Sequence, residues 1–118
     1  MSKYFMAAAV LFSASTTLFG QDYVTPDQFA FRVDSDLVYG VATDYLGNPA
    51  TLSLDLYKPL GDADPARPLL VLIHGGSWLG GCKSDPASGV VALARAFAAR
   101  GYVVASVDYR LGWHKAAY

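Results

Sequence analysis

The chain has 118 residues, 53% of them hydrophobic, and a formal net charge of −1. That apolar content excludes a disordered tail. The small charge gives no electrostatic pull toward nucleic acid or an anionic membrane, so neither is expected as a partner. The lone cysteine, Cys82, excludes an intramolecular disulfide and a cysteine-based metal site. It lies in the glycine-rich stretch "LGGCKSD" and reads as a free loop thiol.

The N-terminus, "MSKYFMAAAVLFSASTTLFGQD", carries a positive Lys3, an apolar stretch from Tyr4 to Phe12 and then small polar residues. This is the plan of a secretory signal peptide, and the apolar stretch is too short to span a bilayer. Residues 1–20 are therefore expected to be a signal peptide, with cleavage after Gly20 and a secreted or periplasmic location. Residues 21–35 are polar, carry Pro26, and read as an irregular N-terminal arm.

The folded domain is expected over residues 36–118. "DLVYGVAT", Asp36 to Thr43, is rich in strand formers. "TLSLDLYKP", Thr51 to Pro59, alternates, with Leu52, Leu54 and Leu56 on one face and Ser53, Asp55 and Tyr57 on the other. Gly47, Asn48 and Pro49 mark a turn between them, which predicts an antiparallel hairpin. After the loop "GDADPARP", the run "LLVLIH" is continuously apolar, as in a strand buried on both faces of a parallel sheet.

A helix follows. Asp85 is a good N-cap, and Pro86 suits the first helical position. "ASGVVALARAFAAR" carries an apolar stripe of Val90, Leu93, Ala94 and Phe97, and Gly101 ends it. "YVVASVDY", Tyr102 to Tyr109, is a second buried strand. Strand, helix and strand in this order predict a βαβ unit with parallel strands. The fold class is α/β, a hairpin leading into a parallel sheet. A sheet of this kind needs helices on both faces, and one helix covers one face. An incomplete domain is the expectation.

"HGGSW" after a buried strand, then a helix and "VASVDYRL", resembles the N-terminal part of α/β-hydrolase-fold esterases and lipases of the secreted HGGG or HGGxW type. "LDLYKP" before the motif and "ARAFAARGYVVASVDYRL" after it fit the same layout. The resemblance implies a serine-type carboxylic ester hydrolase whose oxyanion loop is Gly75, Gly76 and Ser77. The N–H groups of Gly76 and Ser77 would be the donors, with Gly75 shaping the turn. His74 would brace the loop and not act as the base. Trp78 would pack beneath the loop or line the pocket mouth, and Asp108 and Arg110 would support it. The resemblance also implies a small-molecule or polysaccharide-linked ester as substrate, acetyl or feruloyl esters among them, with no metal or cofactor. It places the second buried strand, "YVVASVDY", between the hairpin and the first buried strand, "LLVLIH".

The family's nucleophile elbow, G-x-S-x-G, does not occur in the 118 residues. "GGSWLG" comes close, but Leu79 stands where the second glycine should be. The expectation is thus an oxyanion loop without its Ser/Asp/His triad. Two alternatives stand beside it. One is a non-enzymatic remnant or binding module of hydrolase fold, or a subunit completed by another chain. The other is a miniature triad of Ser77, Asp108 and His114, in the family's order but with His114 in a short tail that nothing evident holds.

Overall fold

The computed structural model describes residues 22–61 and 64–112. The expected signal peptide and His114 lie outside the described residues. The first two strands, β1 (Phe31–Thr43) and β2 (Pro49–Pro59), form the expected antiparallel hairpin. Asp44 closes its turn, its Oδ1 accepting from the N–H groups of Asn48 at 2.8 Å and Leu46 at 2.9 Å. The Asn48 bond leads in holding the Asp44 carboxyl below its usual range.

β1 begins at Phe31, inside the segment read as an irregular arm. Its early part alternates, Phe31 and Val33 against Arg32 and Asp34, but polar neighbours hide that period in the sequence. Asp34 takes ion pairs from Lys58 at 3.1 Å and Arg32 at 3.5 Å. The strand then breaks register twice, between Asp34 and Leu37 and between Val38 and Gly40. Asp36 sits in the first break at φ 57°, a left-handed conformation that Asp tolerates better than most residues. The remaining arm, residues 22–30, runs to the helix end, where the Gln28 and Phe29 N–H groups donate to the Ala99 carbonyl.

β3 (Leu69–Ile73) and β4 (Val103–Val107) are parallel, and the sheet order is β1-β2-β4-β3. β4 therefore inserts between the hairpin and β3, antiparallel to β2. A helix joins β3 to β4, as the βαβ reading predicts.

The helical segment differs from its expectation. Asp85 caps a single 3-10 turn, Pro86–Ser88, accepting from the Ala87 N–H at 2.9 Å. Gly89 then turns left-handed at φ 76°, and the helix α1 spans only Val90–Ala98. Its buried stripe is Val90, Ala94 and Ala98, while Leu93 is exposed. The two buried alanines let the helix sit close on the sheet, and Leu93 lies off this stripe of residues spaced four apart. The end is a Schellman motif: Tyr102 N–H donates to Phe97 O and Gly101 N–H to Ala98 O, with Gly101 at φ 103°. The Phe97 and Tyr102 rings complete it edge to face.

The core joins Tyr57, Ala94, Ala98 and Val104, ringed by Phe31, Leu70, Leu72, Phe97 and Tyr102. It lies on one face of the sheet. Leu69, Val71 and Ile73 on the other face are 62%, 50% and 69% exposed. This corrects the reading of "LLVLIH" as buried on both sides. The physical reason is that α1, the one α-helix among the described residues, covers only one face. On β2 the face under the helix is the one with Asp55 and Tyr57, not the leucine face.

Candidate active site

Residues 74–81 leave the C-terminal end of β3, where parallel sheets place their sites. The loop curls through three successive positive φ angles: Gly76 at 118°, Ser77 at 53° and Trp78 at 61°. Leu79 N–H and Gly80 N–H both turn back onto the Gly76 carbonyl, at 2.9 and 3.3 Å. A Cβ on Gly76 would overlap the Gly80 carbonyl. A Cβ on Gly81 would lie 2.6 Å from Gly75 O and 2.7 Å from His74 Nδ1. Gly75 has an ordinary φ and open space around it, so the tight turn is made at Gly76. Left-handed Ser and Trp residues cost about 1 to 3 kcal/mol each, a strain that surrounding structure must hold. Among the described residues, the N–H groups of Gly76 and Ser77 donate no hydrogen bond. Two adjacent free donors on a fixed turn can bind a negatively charged oxygen.

His74 is buried beneath this loop. Its Nδ1 lies 2.7 Å from the Gly75 carbonyl, an acceptor, so Nδ1 carries the proton. Its Nε2 faces Asp108 Oδ1 at 3.7 Å, and its ring stacks on Tyr109 at 4.3 Å. The Tyr109 hydroxyl donates to the His74 carbonyl at 3.1 Å. Nδ1 is thus engaged with the loop backbone, and the buried ring packs between Tyr109 and Asp108.

Asp108, just past β4, is a hub. Its Oδ1 accepts the Lys83 N–H at 2.7 Å, and its own N–H donates to Ser53 O at 2.9 Å. The Tyr39 hydroxyl donates to its carbonyl. Arg110 donates to the Thr43 carbonyl at 3.0 Å, which ties this segment to the hairpin. Trp78 is largely exposed at the loop tip, and its carbonyl accepts the Gly112 N–H at 2.8 Å. A small cleft of about 120 Å³ opens between His74, Ser77, Trp78 and Tyr109. A larger one, about 590 Å³, lies beside it between Tyr45, Leu52, Leu79 and Arg110. Of the miniature triad, Ser77 and Asp108 stand at the ends of neighbouring strands, and His114 is outside the described residues.

The sequence reading missed Lys83. Taken there as part of a polar loop, it is 6% exposed, with Nζ 2.7 Å from Asp36 Oδ1, 3.1 Å from Asp55 Oδ1 and 3.9 Å from Asp108 Oδ2. Burial alone would lower its pKa. The hydrogen bonds to Asp36 and Asp55 outweigh burial and hold the ammonium above its ordinary value. Asp55 was the available signal, since an aspartate on the helix-facing side of a strand requires a cation. Among the described residues, no group of three or more His, Cys, Asp or Glu is placed to hold a metal ion. No described helix is long and apolar enough to cross a membrane.

A mixed sheet with β4 between hairpin and β3, and a glycine-rich loop at the end of β3, is the arrangement expected of the α/β-hydrolase class. Residues 54–117, more than half of the chain, match the family model of BD-FAE, whose members are α/β-hydrolase-fold esterases. The chain belongs to the BD-FAE family, and the resemblance carried by "HGGSW" and "VASVDYRL" holds. A search of curated proteins found no match.

Proposed function

We propose that this chain is the N-terminal portion of a secreted serine-type carboxylic ester hydrolase, and that the Gly76 and Ser77 N–H groups form half of its oxyanion hole. The observation that supports this is their position: unpartnered among the described residues, adjacent, and fixed by a turn only glycine can make at residue 76. Ester hydrolysis passes through a tetrahedral oxyanion. A donor aimed at that oxygen lowers the barrier by about 3 to 4 kcal/mol. The second half of the hole comes, in esterases of this type, from the residue after the nucleophile.

The nucleophile is assigned to sequence outside these residues, because no G-x-S-x-G occurs among them. A serine there would attack the ester carbonyl and expel the alcohol, and water would then release the acid. His74, Trp78, Asp108 and Arg110 hold the loop and the strand ends around it. The substrate class is an acetyl or feruloyl ester, free or linked to a plant polysaccharide, with no metal or cofactor. The test is expression of the complete coding sequence and assay against 4-nitrophenyl acetate. Turnover blocked by a serine-directed phosphonate, and preserved in Ser77→Ala, is the expected result. Activity abolished by Ser77→Ala would restore the miniature triad. Complete inactivity would favour the non-enzymatic module.

A further inference from the structure

Lys83 has no part in that chemistry, yet both its backbone and its buried ammonium are tethered beside the loop. We infer that Lys83 is a positioning residue that fixes the far end of loop 74–81, an inference that rests on that loop being the oxyanion site. The near end needs no help, because Ile73 is paired with Val107 in the sheet. The far end runs through Gly80, Gly81 and Cys82, and two glycines give a chain little stiffness of its own.

Lys83 fixes that end at four points. Its N–H donates to Asp108 Oδ1 at 2.7 Å, and its carbonyl accepts from the buried Ser106 hydroxyl at 2.7 Å. Its ammonium reaches Asp36 on β1 and Asp55 on β2. The β1 bulge serves the same contact, since the Asp36 N–H donates to Asp55 Oδ1 at 3.0 Å while its carboxylate meets the ammonium. One side chain thus ties the loop to both strands of the hairpin, and its backbone ties it to β4. The Asp108 oxygen that holds the Lys83 N–H also faces His74, whose other nitrogen meets Gly75 O. Asp108 thus packs against the His74 ring at 3.7 Å, and the ring in turn holds the Gly75 carbonyl at the start of the turn.

The experiment is hydrogen–deuterium exchange on the protein expressed from its complete coding sequence, with ester hydrolysis measured in parallel. Lys83→Met is combined with Asp55→Asn so that no buried charge is left unpaired. Asp36→Asn is the milder variant, and Asn suits the left-handed bulge. Lys83→Arg is the rescue. Exchange of the Leu79 and Gly80 amides, which donate to the Gly76 carbonyl, should rise about tenfold or more in the double variant, less in Asp36→Asn, with β4 residues 103–107 changing less than about twofold. Lys83→Arg should restore most of the protection, and kcat should fall while KM holds. Unchanged loop exchange, or a rise shared equally by β4 in both the double variant and Asp36→Asn, would overturn the inference. If the wild type fails to hydrolyse esters but the loop loosens selectively, the ester reading fails and the positioning role stands. If the wild type is active and the variants keep both kcat and loop protection, the positioning role alone fails.

Discussion

Replacing Gly76 and Gly75 by alanine, one at a time, should give opposite outcomes. At Gly76, φ is 118°, and an alanine there costs about 1 to 3 kcal/mol in backbone strain alone. Its Cβ would also overlap the Gly80 carbonyl, with Gly81 N a further 3.4 Å contact. Those are backbone atoms and cannot swing aside as a side chain can. The loop must open, which breaks the bonds from Leu79 and Gly80 N–H to the Gly76 carbonyl. Each is worth about 0.5 to 1.5 kcal/mol net. The loop can relax before the sheet is disturbed, so Gly76→Ala should lower unfolding stability by about 2 to 4 kcal/mol. At Gly75, φ is ordinary and a Cβ meets nothing within 4 Å, so Gly75→Ala should stay within about 0.5 kcal/mol of wild type. Urea denaturation followed by tryptophan fluorescence measures both. In the active protein, Gly76→Ala should also lower kcat/KM by about 10²- to 10³-fold through displacement of a donor. Equal stability changes at the two positions would refute the placing of the turn at Gly76.

Other substitutions probe the frame. Val104 is fully buried, and Val104→Ala should cost about 2 to 3 kcal/mol from lost transfer energy plus a cavity, read from the same denaturation curves. Residues 21–118 produced alone should be poorly soluble, because β3 presents an open edge and a bare apolar face. Changing Leu69, Val71 and Ile73 to threonine should raise the soluble yield, and a sharp cooperative melt of the unmodified monomer would count against this. Burial, then the Asp55 carboxylate, raises the Tyr57 phenol above its usual 10.0. Its contribution is therefore intact below about pH 10 and is lost as pH rises through the folded value, so Tyr57→Phe should flatten the alkaline fall of the urea midpoint.

The hairpin and the βαβ unit follow from local patterns, whereas the strand order was implied only by the family resemblance. Alternation over Thr51–Pro59, the turn at Gly47–Pro49 and the glycine at residue 101 each act within a few residues. What local pattern did not reveal depended on distant partners. Alternation named two faces of β2, but which face meets the helix was decided by Ala94 and Ala98 against Tyr57. Gly89 was absorbed into a helix because an isolated glycine can be, and only its left-handed φ splits the segment. The Lys83 cluster joins Lys83 to residues up to 47 positions away, with no motif to announce it.

The chemistry-bearing side chains around the loop are already engaged, and this bears on where catalysis must come from. His74 uses Nδ1 on Gly75 O and presents Nε2 to Asp108. Asp108 uses Oδ1 on the Lys83 N–H, while its Oδ2 accepts the Ser53 hydroxyl at 3.5 Å and faces the Lys83 ammonium at 3.9 Å. A catalytic histidine of a Ser77, Asp108 and His114 triad would have to compete with these groups, which hold the turn that presents the oxyanion donors. A nucleophile from elsewhere carries no such conflict: it needs only to reach the cleft bounded by Ser77 and Trp78, while His74, Asp108 and Lys83 keep the turn in place. Asp108→Asn separates the two cases. As a triad member its loss should abolish turnover outright, with a loss in kcat of about 10⁴-fold. As a brace it retains one oxygen for the Lys83 N–H and should leave kcat within about tenfold of wild type, with the loss following increased exchange of the Leu79 and Gly80 amides. A loss of about 10⁴-fold with the loop still protected would refute the bracing role.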